Sequence, residues 1–281
     1  MSLSVRTLKE YLGIVGLLNK KGYTLDRLAN EQDNVVKMVK LLPCSESRRK
    51  MYYSAILWLV RKEFPEVNVD TYTKEVKESL ATLKPQETSQ QLPEGKPEVK
   101  WQDILALKDK VKAKYGETHH LWVLYCLYTM TPPVRIDYVK MEVVSTLDQI
   151  ARAMVDTENY CVHLADTTSF VFRKYKTSKT YGAVTIRCPD ELHQVLKTYL
   201  NDRDDKYGTQ LLPYASYVSL SQAITNLFSG ATGKAKVGAT ALRHSFITDF
   251  LSKPRTIKEK EEVARKMLHS TALQERYCVM P

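Results

Sequence analysis

The sequence predicts a mainly α-helical protein carrying one small antiparallel β-sheet, an α+β architecture in two parts. Three observations predict it. The first 84 residues read as amphipathic helices and nothing else. A polar stretch with three prolines follows at about 85–99. Beyond it long apolar helical runs resume, interrupted near 160–187 by short β-branched and aromatic runs. The expected organisation is a helical domain over 1–84, a linker over 85–99 and a larger mixed domain over 100–281.

In the first part, Val5, Leu8, Leu12 and Val15 fall at helical spacing over 4–19, and Gly22 closes that helix. A second helix is expected over about 26–42, with Val35, Met38, Val39 and Leu42 on one face and Pro43 as its stop. Ser45 is placed to cap a third helix, Glu46 to Phe64, whose apolar face is Tyr52, Ile56, Leu59 and Val60. Arg48, Arg49 and Lys50 crowd its first turn, where cations oppose the helix dipole. They are either tolerated surface charge or contacts to phosphate. A fourth helix is expected over about 73–83, with Val76, Leu80 and Leu83 inward.

In the second part, a helix runs from Trp101 to about Tyr115. The next, His119 to Met130, is apolar nearly all round and therefore buried. Thr131-Pro132-Pro133 ends it, which leaves Arg135 either pointed into a cleft or as a surface arginine after a proline turn. Cys161–Leu164, Ser169–Arg173 and Ala183–Arg187 read as strands. The loop before the last of them carries Lys174, Lys176 and Lys179, which serve either as a solvated edge or as a finger reaching into a nucleic-acid groove. Pro189-Asp190 opens a helix with Leu192, Val195, Leu196 and Tyr199 inward. An irregular connection from Asn201 to Tyr217 leads to a helix marked by Leu220, Ile224, Leu227 and Phe228. The last long helices are Ala241–Leu251 and Ile257–Leu268.

Composition narrows the function. The chain has 281 residues, is 43% hydrophobic and carries a net charge of +10, with the cation excess divided between both parts. That charge favours a polyanionic partner, nucleic acid before an anionic membrane. The five cysteines (Cys44, Cys126, Cys161, Cys188, Cys278) show no zinc spacing and read as free thiols of a reducing compartment. The run Leu121 to Met130 is too short to span a bilayer, and no secretory signal is evident, so a soluble intracellular protein is expected. Neither GxGxxG nor GxxxxGK[ST] occurs, which disfavours a nucleotide-driven machine.

The groups that carry chemistry are Arg135, Lys176, Arg243, His269 and Tyr277. No carboxylate cluster accompanies them, so no metal is expected. The set suits displacement at a phosphodiester. Two arginines clamp the non-bridging oxygens with permanently charged forks, and a histidine adds a third donor. Guanidiniums around a phenol favour the phenolate as nucleophile. A lysine on the hairpin supplies the proton that the departing 5′-oxygen needs. Lys179 is three residues from Lys176 in the same loop, and alignment to the following strand favours Lys176.

These residues also stand in familiar wording. Pro133-Val134-Arg135-Ile136-Asp137-Tyr138, Leu242-Arg243-His244-Ser245-Phe246-Ile247-Thr248, Leu268-His269-Ser270-Thr271 and Arg276-Tyr277 occur in order. They resemble the arginine, histidine and nucleophile boxes of the tyrosine recombinases (phage-integrase family), whose catalytic core is shared by type IB topoisomerases. Phe172 to Gly182 resembles that family's catalytic-lysine hairpin, and Ser45 to Ile56 a helix of its core-binding domain. The wording is closest to integrases of eukaryotic large DNA viruses, virophages and related mobile elements. Three departures stand out. Thr240 takes the place of a common histidine three residues before the second arginine, Leu268 takes that of a glycine, and the spacing from His269 to Tyr277 is one residue short.

The resemblance implies a two-domain clamp on double-stranded DNA, acting as a site-specific recombinase through a 3′-phosphotyrosyl intermediate with no cofactor, metal or ATP. It implies catalytic roles for Arg135, Lys176, Arg243, His269 and Tyr277. Further DNA contacts are expected from Lys174, Lys179, Arg48, Arg49 and Lys50. It also implies a homotetramer on two DNA sites, in host nucleus or cytoplasm, wherever the target DNA resides. A type IB topoisomerase would share the chemistry without pairing sites. A DNA-binding protein that kept the fold but lost catalysis is the reading that Thr240 keeps open.

Overall fold

The computed structural model describes residues 3, 5–88, 98–156, 158–202, 208–234 and 236–278. The chain divides into two compact units, Met1–Ser89 and Gln90–Pro281.

The first unit is all helical: α1 (Val5–Lys20), α2 (Leu25–Asn30), α3 (Gln32–Leu41), α4 (Glu46–Glu63) and α5 (Asp70–Thr88). Gly22, at φ +83°, lets the chain turn after α1. Thr24 then caps α2, and Ser45 caps α4 as expected. The core joins Ile14, Leu18, Val35, Val39, Tyr53, Ile56, Val60 and Tyr72. Three expectations are corrected here. The inward face of α1 is Tyr11, Ile14, Val15 and Leu18, while Val5 and Leu12 face solvent. The single helix expected over 26–42 is two helices. At the break, the Gln32 side-chain amide donates to the Ala29 carbonyl, 3.1 Å, which a continuous helix would offer to a backbone N–H. Finally, α5 is longer than expected and runs past 85, and it buries Tyr72, Glu75 and Ser79 rather than Leu80. Polar side chains can face inward there because Lys40 pairs with Glu75 at 2.7 Å and Ser79 donates to Glu46 at 2.6 Å. Residues 89–97 of the expected linker lie outside the described residues, and Val99 at its end is buried in the core of the second unit.

The second unit is mainly helical around a four-stranded sheet. Helices α6 (Trp101–Leu105) and α7 (Lys108–Tyr115) replace the single helix expected there. Helix α8 (His120–Thr129) is buried from Trp122 to Tyr128, as its apolar sequence requires. After β1 (Glu142–Val144) come α9 (Leu147–Asp156), β2 (Asn159–His163), β3 (Thr168–Phe172), the single turn α10 (Ser178–Tyr181) and β4 (Val184–Arg187). The chain ends in α11 (Asp190–Asp202), α12 (Tyr217–Thr232), α13 (Ala239–Leu251), α14 (Ile257–Lys266) and α15 (Thr271–Tyr277).

Strand order is β1-β2-β3-β4. The β2–β3 and β3–β4 pairs are antiparallel, as expected, but β1 runs parallel to β2 with Glu142 opposite Tyr160, so the sheet is mixed. A parallel pair needs a crossover, and α9 supplies it. Helix α8 packs on α7, α11 and α12, and the main core continues through Phe170, Phe172, Leu196, Ile224, Phe228 and Leu242. Cys126, Cys161 and Cys188 are buried, and none of the five cysteines is in a disulfide. Burial pushes the Cys126 and Cys188 thiols up to about 12. Among the described residues no helix is long and apolar enough to cross a membrane.

Candidate active site

Arg243 is the centre of the arrangement. It sits in the middle of α13, on a face that includes buried Leu242 and Ile247, and is only 1% exposed. Burying a guanidinium is costly, and acceptors for its N–H groups offset part of that cost. Its Nη1 donates to the carbonyl of Pro133 at 2.7 Å and to that of Met267 at 3.0 Å. One side chain thus ties the proline turn that carries Arg135 to the segment that carries His269. Its Nε and Nη2 make no hydrogen bond among the described residues.

Arg135 follows α8 and is half-buried. Tyr128 of α8 donates its hydroxyl to the Arg135 carbonyl, and the Arg135 N–H donates to Asp137 at 3.2 Å. Its Nη1 donates to the Leu268 carbonyl at 3.4 Å. Thr177, next to Lys176, donates to that same carbonyl at 3.1 Å. Leu268 stands at φ +57°, where glycine is at ease and a leucine is strained. Its side chain is buried in the main core, which offsets the strain. The departure from glycine noted in the sequence therefore falls where the backbone favours glycine.

His269 is buried, with neither ring nitrogen partnered among the described residues. Burial, then the charges of Arg243 and Arg135, push its pKa down to about 3, so the ring is neutral and can donate one N–H. Ser270 caps α15, accepting from the Leu273 N–H at 3.2 Å, and α15 ends on Tyr277. The Tyr277 ring lies 5.1 Å from the Arg243 guanidinium carbon and 5.8 Å from the His269 ring centre. Burial, the largest single influence, pushes the phenol's pKa up. The charges of Arg243 and Arg135 and the approach of their N–H groups outweigh it, and Tyr277 ends below its ordinary value.

Four of the five candidate residues, Arg135, Arg243, His269 and Tyr277, therefore converge. Lys176 lies in the stretch between β3 and α10; its side chain is exposed and makes no hydrogen bond or ion pair among the described residues. Lys179 is exposed on α10, while Lys174 is paired with Glu158. In the first unit Arg48 is exposed and lies over the Tyr52 ring, and Lys50 is half-buried. Arg49 is turned to its own unit, bonded to Glu46 at 2.5 Å and to the Lys40 carbonyl at 3.5 Å. Thr240 is exposed on the first turn of α13.

Two neighbours lie outside the set expected from the sequence. Asp137 is buried beside both arginines. Burial raises its carboxyl pKa, and the charges of Arg135 and Arg243 pull against that rise. Its signal was the local Arg135-Ile136-Asp137 spacing, in which a short acidic side chain turns back on a backbone N–H two residues away. The other is His244, whose Nδ1 lies 2.7 Å from the Tyr277 carbonyl. Only its place next to Arg243 could have marked it. No group of metal-ligating side chains occurs among the described residues.

No protein-family model matches this chain, and no curated protein matches it. Six solved chains are similar to it. One of them is the crystal structure of XerA recombinase, at 14% sequence identity over 99% of this chain and 89% of that one, with a TM-score of 0.46.

Proposed function

We propose that this chain is a site-specific DNA recombinase that cuts and rejoins strands through Tyr277. The observation that carries the reading is the convergence of Arg243 and His269 on the phenol of Tyr277, 5.1 Å and 5.8 Å from its ring centre, and the lowering of that phenol's pKa by Arg243 and Arg135 agrees with it. The unpartnered Nε and Nη2 of Arg243 and the single N–H of neutral His269 suit the same ligand, a phosphodiester whose oxygens accept from each of them. In this reading the phenol loses its proton to solvent and its oxygen attacks phosphorus. Arg135 and Arg243 neutralise the charge that develops on the non-bridging oxygens, and neutral His269 donates one hydrogen bond to them. The phosphorus–5′-oxygen bond breaks, and Lys176 gives the leaving oxygen its proton. The phosphotyrosyl ester retains the energy of the broken bond, so attack by a 5′-hydroxyl reverses the step.

The proposal extends further on the wording of the boxes given above. It takes the chain as an integrase of a mobile element or virus, acting in the host nucleus or cytoplasm, with four copies on two duplex sites. Exposed Lys179 and Arg48 are the first candidates for backbone phosphate contacts. The test is a nicked suicide duplex from which the 5′-hydroxyl fragment escapes. Wild type should accumulate a denaturation-resistant protein–DNA adduct, and Tyr277→Phe should bind DNA without forming one. An adduct that persists in Tyr277→Phe, or none with wild type across a random DNA pool, would sink the proposal.

A further inference from the structure

His244 has no part in the chemistry above, yet it makes two contacts to Tyr277. Its Nδ1 lies 2.7 Å from the Tyr277 carbonyl oxygen. Its ring centre lies 4.5 Å from that of the phenol, the planes 36° apart. A carbonyl only accepts, so the proton of this bond sits on Nδ1 and His244 is the donor.

Helix α15 needs such a tether. Its seven residues are too few to hold a helix by their own hydrogen bonds; at its end the Glu275 carbonyl accepts from the Cys278 N–H at 3.3 Å, and the Tyr277 carbonyl is met by His244. Helix α13 is firmly placed by comparison, because Arg243, one residue before His244, is buried and bonded to two carbonyls. His244 carries that placement across to the end of α15.

We infer that His244 is a positioning residue for Tyr277: it pins the last turn of α15 by the Tyr277 carbonyl and backs the phenol ring, so that the hydroxyl meets Arg243 and Arg135. The inference deepens the function proposed above and rests on its reading of Tyr277 as nucleophile. It also gives this segment's histidine a task. The position three residues before Arg243 is the exposed Thr240, and the histidine that follows Arg243 stands behind the phenol. A shift of about 1 Å at a reacting atom can cost about 100-fold in rate, so a tether of this kind acts on the chemical step.

Three variants separate its two contacts. His244→Phe keeps the ring and loses the donor, His244→Asn keeps a donor near the Nδ1 position and loses the ring, and His244→Ala loses both. Adduct formation is measured at saturating nicked duplex, beside the dissociation constant for the same DNA. In parallel, the Tyr277 phenol is titrated by NMR of ring-labelled tyrosine, its signal identified by its loss in Tyr277→Phe. His244→Ala should slow adduct formation by about 10- to 100-fold while leaving DNA affinity unchanged. It should also move the Tyr277 ionisation upward, and His244→Asn should restore much of the rate. Wild-type cleavage by His244→Ala with an unmoved Tyr277 ionisation overturns the inference. So does a rate loss that Asn does not restore and that leaves the ionisation in place, since that marks a general fold defect. If wild type forms no adduct, the recombinase reading fails. The phenol titration then decides the positioning claim alone: an upward shift in His244→Ala supports it, and no shift overturns it.

Discussion

The Arg243 guanidinium carbon lies 5.1 Å from the centre of the Tyr277 ring, so a permanent charge faces a half-buried phenol. Arg243→Lys keeps a charge but loses the planar fork, whose Nη1 bonds Pro133 and Met267 while Nε and Nη2 stay open to a ligand. Adduct formation should fall by about 10²–10³-fold, and the Tyr277 ionisation should rise. Both are read from the rate of adduct formation against pH. In wild type that rate should climb with pH and level off below the ordinary phenol pKa of about 10. In Arg243→Lys the plateau should move upward.

His269 gives stability a pH dependence of known sign. Its pKa is about 3 when folded and about 6.5 in an unfolded chain. The unfolded state therefore binds the extra proton, and acid favours unfolding. The contribution is fully present above about pH 6.5, is lost as pH falls, and is exhausted near the folded value of about 3. His163, whose pKa burial also lowers, acts in the same direction. Urea midpoints for wild type and His269→Gln should therefore converge as the pH is lowered from 7 towards 4 (a range on the order of the shift). Parallel lines would show that the ring is not held neutral.

At Leu268 the usual order of substitutions should invert. Truncating a buried leucine to alanine costs about 2–5 kcal/mol, and alanine would keep the strain of φ +57°. Glycine loses the same packing but relieves about 1 kcal/mol or more of strain. Leu268→Gly should therefore destabilise less than Leu268→Ala, although glycine is the smaller residue. Denaturant midpoints of the two variants decide it.

The lysine assignment can be separated from simple DNA binding by changing the leaving group. A 5′-bridging sulfur leaves as a thiolate and needs no proton donor. Lys176→Ala should cleave an ordinary duplex about 10²–10⁴-fold more slowly than wild type and the sulfur-bridged duplex at close to the wild-type rate. Lys174→Ala and Lys179→Ala should show no such difference between the two substrates. Rescue of Lys179→Ala instead would transfer the role to that residue.

Much of this arrangement was legible because it is written locally. The apolar wrap of α8, the capping by Ser45 and the alternation in β3 and β4 each depend on neighbours in the chain. What was missed depends on length or on space. Strand β1 has three residues, too few to show alternation, and exists because it pairs with β2. Helices α10 and α15 are four and seven residues long, too short for a helical period to emerge. The inward face of α5 was misread because Glu75 and Ser79 look solvated until Lys40 and Glu46 arrive from other helices. His244 follows Arg243 rather than standing three residues before it, so the family pattern assigns it no role, and its contact to a carbonyl 33 residues away shows only in space.

The way Arg243 is held has a consequence for how such a protein can vary. Its Nη1 grips the main-chain oxygens of Pro133 and Met267, and Leu268 likewise presents a main-chain oxygen to Arg135 and Thr177. Every residue type carries that oxygen. Side chains along these segments can be exchanged without touching the acceptors, provided the backbone keeps its course. The scaffold is thus indifferent to most of its own spelling, and strict demands on identity fall on the few side chains that do the gripping.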